Sequence, residues 1–366
     1  MSRIVLVLGD GSLTGAPMHV LQLATALKKN KSDILVICPS GPIVKKFESA
    51  KINVEVISMR GVFDKASMGR IAEVVKKFNP EIAHFHGTRA GWLGILAIRD
   101  LKNIKKIYTE HLWTNNYHFS NPAYEQFQLA GLKFVVRYCE KVIAVSKSVQ
   151  EFLLKRGYKR EKVVLIHNGI PDKFLELKPI KKPKEMPLVI GSVGSLNRIK
   201  NYENMIRAFA LVKKEKPDLN IHYQIIGEGP LRNKLEGMAK SFKIKDVIHF
   251  TGRLEDVGER LQHFTIFLSC SISESFGMAV GEAMAVGLPI IASDIETLKN
   301  LTGECAILVD PAKPVEIKKT IIKLIEDEKL RENLAGCAKE RIRESFTESA
   351  MTEKTIDLYK KVLRSS

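Results

Sequence analysis

The chain of 366 residues is 45% hydrophobic and 27% charged, proportions ordinary for a soluble globular protein of two or three domains. Basic residues exceed acidic ones by 58 − 41 = 17; the excess favours anionic partners such as nucleic acid, a phosphorylated ligand or an acidic membrane face, and its even spread along the chain chooses none of them. No run approaches the ~20 apolar residues of a membrane span, and the apolar run at 4–9 is too short for a signal peptide. The five scattered cysteines, Cys38, Cys139, Cys270, Cys305 and Cys337, include no C-x-x-C pair, which argues against a disulfide framework or a zinc site and for the reducing cytoplasm.

Residues 4–8 form a compact apolar run, read as a buried first strand. The loop 9–15 follows, then Val20, Leu21, Leu23, Ala24 and Leu27 at helical spacing. Further strand candidates are 34–38, 54–57, 82–85, 106–109 and 142–145, most with a helix-like stretch between them. Short apolar runs alternating with amphipathic helices predict a parallel sheet covered on both faces. Between 172 and 187 the texture changes: Pro179, Pro183 and Pro187 alternate with Lys173, Lys178, Lys181, Lys182 and Lys184, which predicts a linker. The pattern restarts with strands at 188–193, 221–226, 247–250, 266–270, 289–292 and 306–309, helices near 202–214 and 231–242, and mostly helix from about 314. The expected organisation is α/β: two doubly wound Rossmann-like domains, 1–171 and 188–345, joined by the linker, with a terminal helix over 346–366 crossing back to the first domain. Ligands in such sheets sit beyond the carboxyl ends of the strands, and two facing domains would share a ligand in their cleft.

Three strand-to-helix turns of the second half could carry chemistry. The first runs from Ser269 to Ser293 as S-C-S-I-S-E-S-F-G-M-A-V-G-E-A-M-A-V-G-L-P-I-I-A-S. A buried strand ends near Cys270, Glu274 lies in a polar loop, and a helix starts near Gly277 and Met278 with Glu282 about one turn inside. The first N–H groups of that helix lack internal partners and suit an anion such as a diphosphate. Glu274 could face a sugar and Glu282 could accept hydrogen bonds from a ribose diol; equally, a helix start favours acidic residues for its dipole alone. The second turn, Val193 to Asn201, sets Arg198 and Lys200 beside free N–H groups, which suits a diphosphate or is a solvated basic loop. The third, Gly227-Glu228-Gly229-Pro230-Leu231, suits a tight turn into a helix and is weak as a phosphate signature. In the first half, His86 and His111 follow neighbouring strands. Zinc-type histidine spacing, a D-x-D metal pair, a serine nucleophile elbow and a Walker A loop are all missing from the sequence.

On these residues the chain resembles the retaining glycosyltransferases of family four, whose GT-B fold has two Rossmann-like domains. The most specific match is E-x7-E, Glu274 to Glu282; Gly227 to Leu231, His167-Asn168-Gly169-Ile170 and Gly15 to Val20 support it. The resemblance implies that Glu274 contacts the donor sugar near the reacting centre, that Glu282 holds the ribose, and that Lys200 binds the donor diphosphate. It implies that His111 is the active-site histidine of the first domain and that Gly15 lets acceptor and phosphate approach. Gly227 and the stretch 251–256, with Arg253 and Leu254, would line the nucleotide, and no metal or other cofactor is needed. The arginine that many members carry directly after the glycine is Ser195 here, and Arg198 is expected to supply its charge. Implied partners are a nucleotide-sugar donor and a glycan or lipid-linked saccharide acceptor.

The aromatic group Trp113, Tyr117, Phe119, Tyr124, Phe127 and Phe134, with Lys133 and Arg137, could rest on an anionic membrane or line a helix packed into the core. The expected location is cytoplasmic, on the inner face of the plasma membrane. Two other readings compete: a non-hydrolysing nucleotide-sugar epimerase of the same fold, and a basic nucleic-acid-binding protein, against which stands the lack of any helix-turn-helix, finger or aromatic RNA-binding strand motif.

Overall fold

The computed structural model describes residues 2–61, 63–181, 183 and 185–365. Met1 and Ser366, at the ends of the expected domains, and Lys182 and Lys184 of the expected linker lie outside the described residues. The chain divides into two units, 1–169 with 348–366, and 170–347.

The first unit is built on a seven-stranded sheet: β1 (Arg3–Leu8), β2 (Asp33–Cys38), β3 (Asn53–Val56), β4 (Ile82–His86), β5 (Lys105–Glu110), β6 (Lys141–Ala144) and β7 (Val163–Leu165), in the order β3-β2-β1-β4-β5-β6-β7. All pairings are parallel; β1 sits between β2 and β4, with Leu6 opposite Val36 on one side and His84 on the other. Helices cover both faces, so β1 reads as an unbroken buried run instead of an alternating one. The terminal helix Glu348–Arg364 belongs here, and its Met351, Leu358, Tyr359 and Val362 lie in the same core as Leu6, Val36 and Ile107. The short β7 was missed in the sequence because three residues give no readable period.

The second unit repeats the plan with six parallel strands, β8 (Leu188–Val193), β9 (Ile221–Ile226), β10 (Ile248–Gly252), β11 (Ile266–Ser269), β12 (Ile290–Ser293) and β13 (Ile307–Val309), ordered β10-β9-β8-β11-β12-β13. In each sheet the order reverses beside the first strand: between β1 and β4, and between β8 and β11. At such a switch point the loops leaving the carboxyl ends part, and a ligand crevice opens.

Two expectations are corrected. The segment 172–187 is not a free linker. It belongs to the second unit, where Lys173–Glu176 is a short helix with Phe174 buried. The Leu177 carbonyl accepts from Lys339 Nζ at 2.6 Å, and the Ile180 N–H donates to Gln262 O at 2.8 Å. Its prolines and lysines masked one aromatic anchor and these backbone ties. The cysteines are not all free either: Cys305 and Cys337 form a disulfide, Cα–Cα 5.2 Å, 32 residues apart in sequence. It joins the stretch before β13 to the helix Glu328–Ser345, an adjacency that folding creates and spacing does not show. Cys38, Cys139 and Cys270 are free and buried.

Candidate functional site

In the second unit the loops at the switch point are stitched together. β8 ends into Gly194, whose N–H donates to Ile226 O at 2.9 Å and whose carbonyl accepts from Tyr202 OH at 3.1 Å. Gly227 has φ +149°, and a Cβ there would stand 1.9 Å from Gly194 O. Glycine is therefore required at 227 by backbone contact, whatever else the turn binds. The Asn197 carboxamide oxygen accepts from Lys200 N at 3.1 Å and caps the single turn Arg198–Lys200. That turn delivers Lys200 Nζ to Glu274 Oε1 at 2.5 Å, and Ser271 Oγ donates to the same oxygen at 2.8 Å. Both charged side chains are mostly shielded, 24% and 12% exposed, so their charge-assisted bond is stronger than a surface pair. Ile272 N–H to Ile199 O at 2.7 Å and Asn201 Nδ2 to Cys270 O at 3.0 Å tie the two loops along their length. Thr297 Oγ1 anchors the Glu274 carbonyl at 2.8 Å.

The helix Met278–Val286 begins immediately after this loop. Gly277 is left-handed at φ +96°, and a Cβ there would meet Leu298 at 2.7 Å. No side chain caps this helix start and no acidic residue occupies its first turn. Its N–H groups thus form an uncompensated positive end next to Lys200 and Glu274. Glu282 lies one turn further on and keeps part of its surface exposed. Burial of the rest pushes its carboxyl up to about 7; Lys173 pulls it down and Asp256 pushes it up. Lys173 and Asp256 are themselves paired at 2.8 Å. Lys200, Glu274, Gly277 and Met278 thus share one pair of loops. Arg198 is exposed on the same turn as Lys200, Arg253 is exposed just after β10, and Leu254 beside it is half-buried.

The carboxyl end of the first sheet is different. His84 and His86 alternate on β4 and share a face. His84 uses both ring nitrogens, with Tyr359 OH at 2.6 Å and Thr109 Oγ1 at 2.7 Å. His86 Nδ1 faces His111 Nε2 at 3.1 Å, and His19, from the helix Gly15–Lys29, brings its ring centroid to 4.8 Å from that of His111. Burial lowers the imidazole of His19 to about 4 and those of His84, His86 and His111 well below their usual value, neighbouring histidines adding to the last three. All four are neutral at ordinary pH. The turn presenting His111 is held by Glu110, which is buried and accepts from Leu112 N at 2.7 Å, Trp113 N at 3.2 Å and Tyr108 OH at 2.8 Å. Burial raises the Glu110 carboxyl against these donors. Gly15 is exposed, with nothing within 4 Å of a would-be Cβ. The fold does not demand glycine there, in contrast to Gly227. The loop before it is ordered by Asp10, whose carboxylate accepts from Ser12 Oγ at 2.8 Å and Thr14 Oγ1 at 3.0 Å.

Sequence reasoning missed His84, Glu110 and the place of His19 in this group. The alternation H-F-H was a readable cue for His84 and His86 on one face; nothing local signalled Glu110. The aromatic group splits: Trp113 is buried and stacked on Phe152 at 5.5 Å, while Tyr124 and Phe127 stand exposed on the helix Pro122–Tyr138.

Comparison with known proteins bears on both halves. A family model described as Glycosyltransferase Family 4 matches residues 13–174, and one described as Glycosyl transferases group 1 matches 173–341. The chain is 22% identical over 328 residues to the N-acetyl-alpha-D-glucosaminyl L-malate synthase of Bacillus anthracis, covering 87% of this chain and 84% of that protein. It is 27% identical over 315 residues to the alpha-monoglucosyldiacylglycerol synthase of Streptococcus pneumoniae, covering 80% and 70%. The crystal structure of HepE from Anabaena in complex with UDP-glucose superimposes with a TM-score of 0.84 at 18% identity, covering 99% of this chain and all of that one.

Proposed function

The chain belongs to the group 1, family 4 glycosyltransferases, and on that premise we propose that it transfers a sugar with retention from a nucleotide-sugar to a glycan or lipid-linked saccharide, without a metal. One observation carries the reading: Lys200, Glu274 and an uncapped helix start meet at the switch point of the second sheet. A nucleoside diphosphate brings the anion that the helix N–H groups lack and that can replace Glu274 on Lys200, and its sugar brings the hydroxyls that a released Glu274 can bind. The two side chains neutralise one another until the donor separates them.

As the glycosidic bond breaks, negative charge grows on the leaving diphosphate, where Lys200, Arg198 and the helix N-terminus stabilise it. Glu274 orients the sugar and Glu282 accepts from the ribose diol. The stretch 251–256 lines the base. His111, held neutral in the first unit, serves the sugar as acceptor of a hydrogen bond. The acceptor hydroxyl attacks from the leaving-group face, and a donor phosphate oxygen takes its proton. HepE holds UDP-glucose, which supports a nucleotide-sugar donor. The pneumococcal relative, named for a glucosyl lipid, supports a lipid acceptor.

The protein works at the surface of an anionic membrane, contacted through the helix Pro122–Tyr138, on which Tyr124, Phe127 and Tyr138 and also Lys133 and Arg137 are exposed. Among the described residues no helix is long and apolar enough to cross a membrane. Flotation with anionic liposomes tests the contact: salt-sensitive binding is expected, and its absence from both anionic and neutral vesicles removes this part of the reading. Chelator-treated protein incubated with a panel of nucleotide-sugars and acceptors tests the chemistry. An α-linked product from an α-linked donor is expected; an inverted product contradicts retention, and conversion of donor without acceptor favours epimerisation.

A further inference from the structure

Three imidazoles of the first unit converge from three separately anchored elements. His19 comes from the helix Gly15–Lys29, His86 from the end of β4, and His111 from the turn after β5. One nitrogen of each lies within 4.8 Å of the other two. Their ring centroids are 4.8, 5.4 and 5.5 Å apart. Imidazoles bound tetrahedrally to one zinc ion at ~2.0–2.1 Å place their centroids about 5 Å apart. We infer that His19, His86 and His111 form a binding site for a borderline transition-metal cation such as zinc(II), whose occupation withdraws His111 from its part in transfer.

The buried nitrogens support this. His86 Nδ1 and His111 Nε2 already stand 3.1 Å apart, close to the spacing of two nitrogens on one tetrahedral zinc ion, and His19 Nδ1 has no hydrogen-bond partner among the described residues, a state that buried polar atoms seldom keep. His84, whose ring lies 4.1 Å from that of His86, is not a ligand, because Tyr359 and Thr109 occupy both its nitrogens. It instead helps fix the His86 ring. His111 is the half-buried member, so water can supply a fourth ligand, as in open three-histidine zinc sites. An all-imidazole set selects zinc, nickel or copper over magnesium and calcium, which prefer oxygen. The sequence hid the site because its ligands stand at 19, 86 and 111 and meet only when β1, β4 and β5 lie side by side. The cation-binding half of the inference stands alone; the inhibitory half rests on the transfer reading.

Direct binding of zinc and cobalt to the metal-free full-length protein tests it. His222 and His249 form an exposed pair at 2.8 Å in the second unit, so His249→Ala serves as the parent for the assay. One cobalt per chain with a tetrahedral visible absorption band is expected. His19→Gln and His86→Gln should each weaken zinc binding at least about 100-fold, the upper end of what loss of an outer-shell partner costs, with melting curves confirming folded protein. Magnesium should neither bind at the site nor displace cobalt. Zinc should inhibit transfer while nucleotide affinity stays unchanged. The inference is overturned when both variants hold zinc as the parent does, or when the parent gives no tetrahedral cobalt spectrum. A protein that binds zinc as expected and transfers no sugar refutes the transfer reading and leaves the site standing.

Discussion

The two units share a topology and differ in what they place at its switch point. In the second, a lysine, a glutamate and a helix N-terminus meet in a partly open loop pair, a set that gains most when an anion arrives. In the first, three buried imidazoles and the half-buried His111 crowd together, all neutral, with the buried Glu110 carboxyl holding the turn beside them. A doubly wound sheet thus supplies a location, and the loop residues decide whether it holds charge or avoids it.

The largest effect that could break this contrast is at Lys200. Lys200→Ala removes the cation facing the leaving group and should lower kcat/KM about 1000-fold, the upper range for loss of one transition-state donor, in steady-state assays of transfer. Reduction or Cys337→Ser should affect only the second unit. A bridge closing 32 residues contributes about 3–4 kcal/mol, so calorimetry should show that unit's transition falling while the first unit's holds.

Glu274→Gln keeps the shape and removes the charge; turnover should drop about 100-fold with nucleotide affinity little changed. Glu282→Ala should do the reverse, weakening nucleotide more than turnover. The smallest effect concerns pH. The Glu282 carboxyl, pushed up to about 7 by burial, is largely protonated at pH 6 and ionised at pH 8, and the ionised form accepts from the ribose diol. Nucleotide affinity should therefore rise about tenfold from pH 6 to pH 8, measured by calorimetry, and Glu282→Gln should flatten the rise. The same linkage means that ionising this partly buried carboxylate destabilises the ligand-free fold: the penalty is absent below the unfolded value of 4.5, grows between there and about 7, and is full above it.

The donor side was largely legible in the sequence because its parts are local. Glu274, Gly277 and Glu282 stand within nine residues of one another, and Lys200 follows the neighbouring strand in the same strand–turn–helix grammar. The parallel sheets were legible because strands buried on both faces read as continuous apolar runs. What escaped depends on long-range adjacency. His19 meets His86 and His111 only through strand order, and Cys305 meets Cys337 only when a helix returns across the sheet. Phe174 inside a lysine- and proline-rich stretch shows that one buried ring can attach a segment whose composition resembles a linker.

The central claim is that a nucleotide-sugar diphosphate takes the place of Glu274 on Lys200. Its most direct test is calorimetric titration of a nucleotide-sugar into the parent, Lys200→Ala and Glu274→Gln proteins. Binding should be strong in the parent, sharply weakened in Lys200→Ala, and retained or strengthened in Glu274→Gln, where the lysine is already free. Equal affinity in all three, or loss in Glu274→Gln with retention in Lys200→Ala, would contradict it.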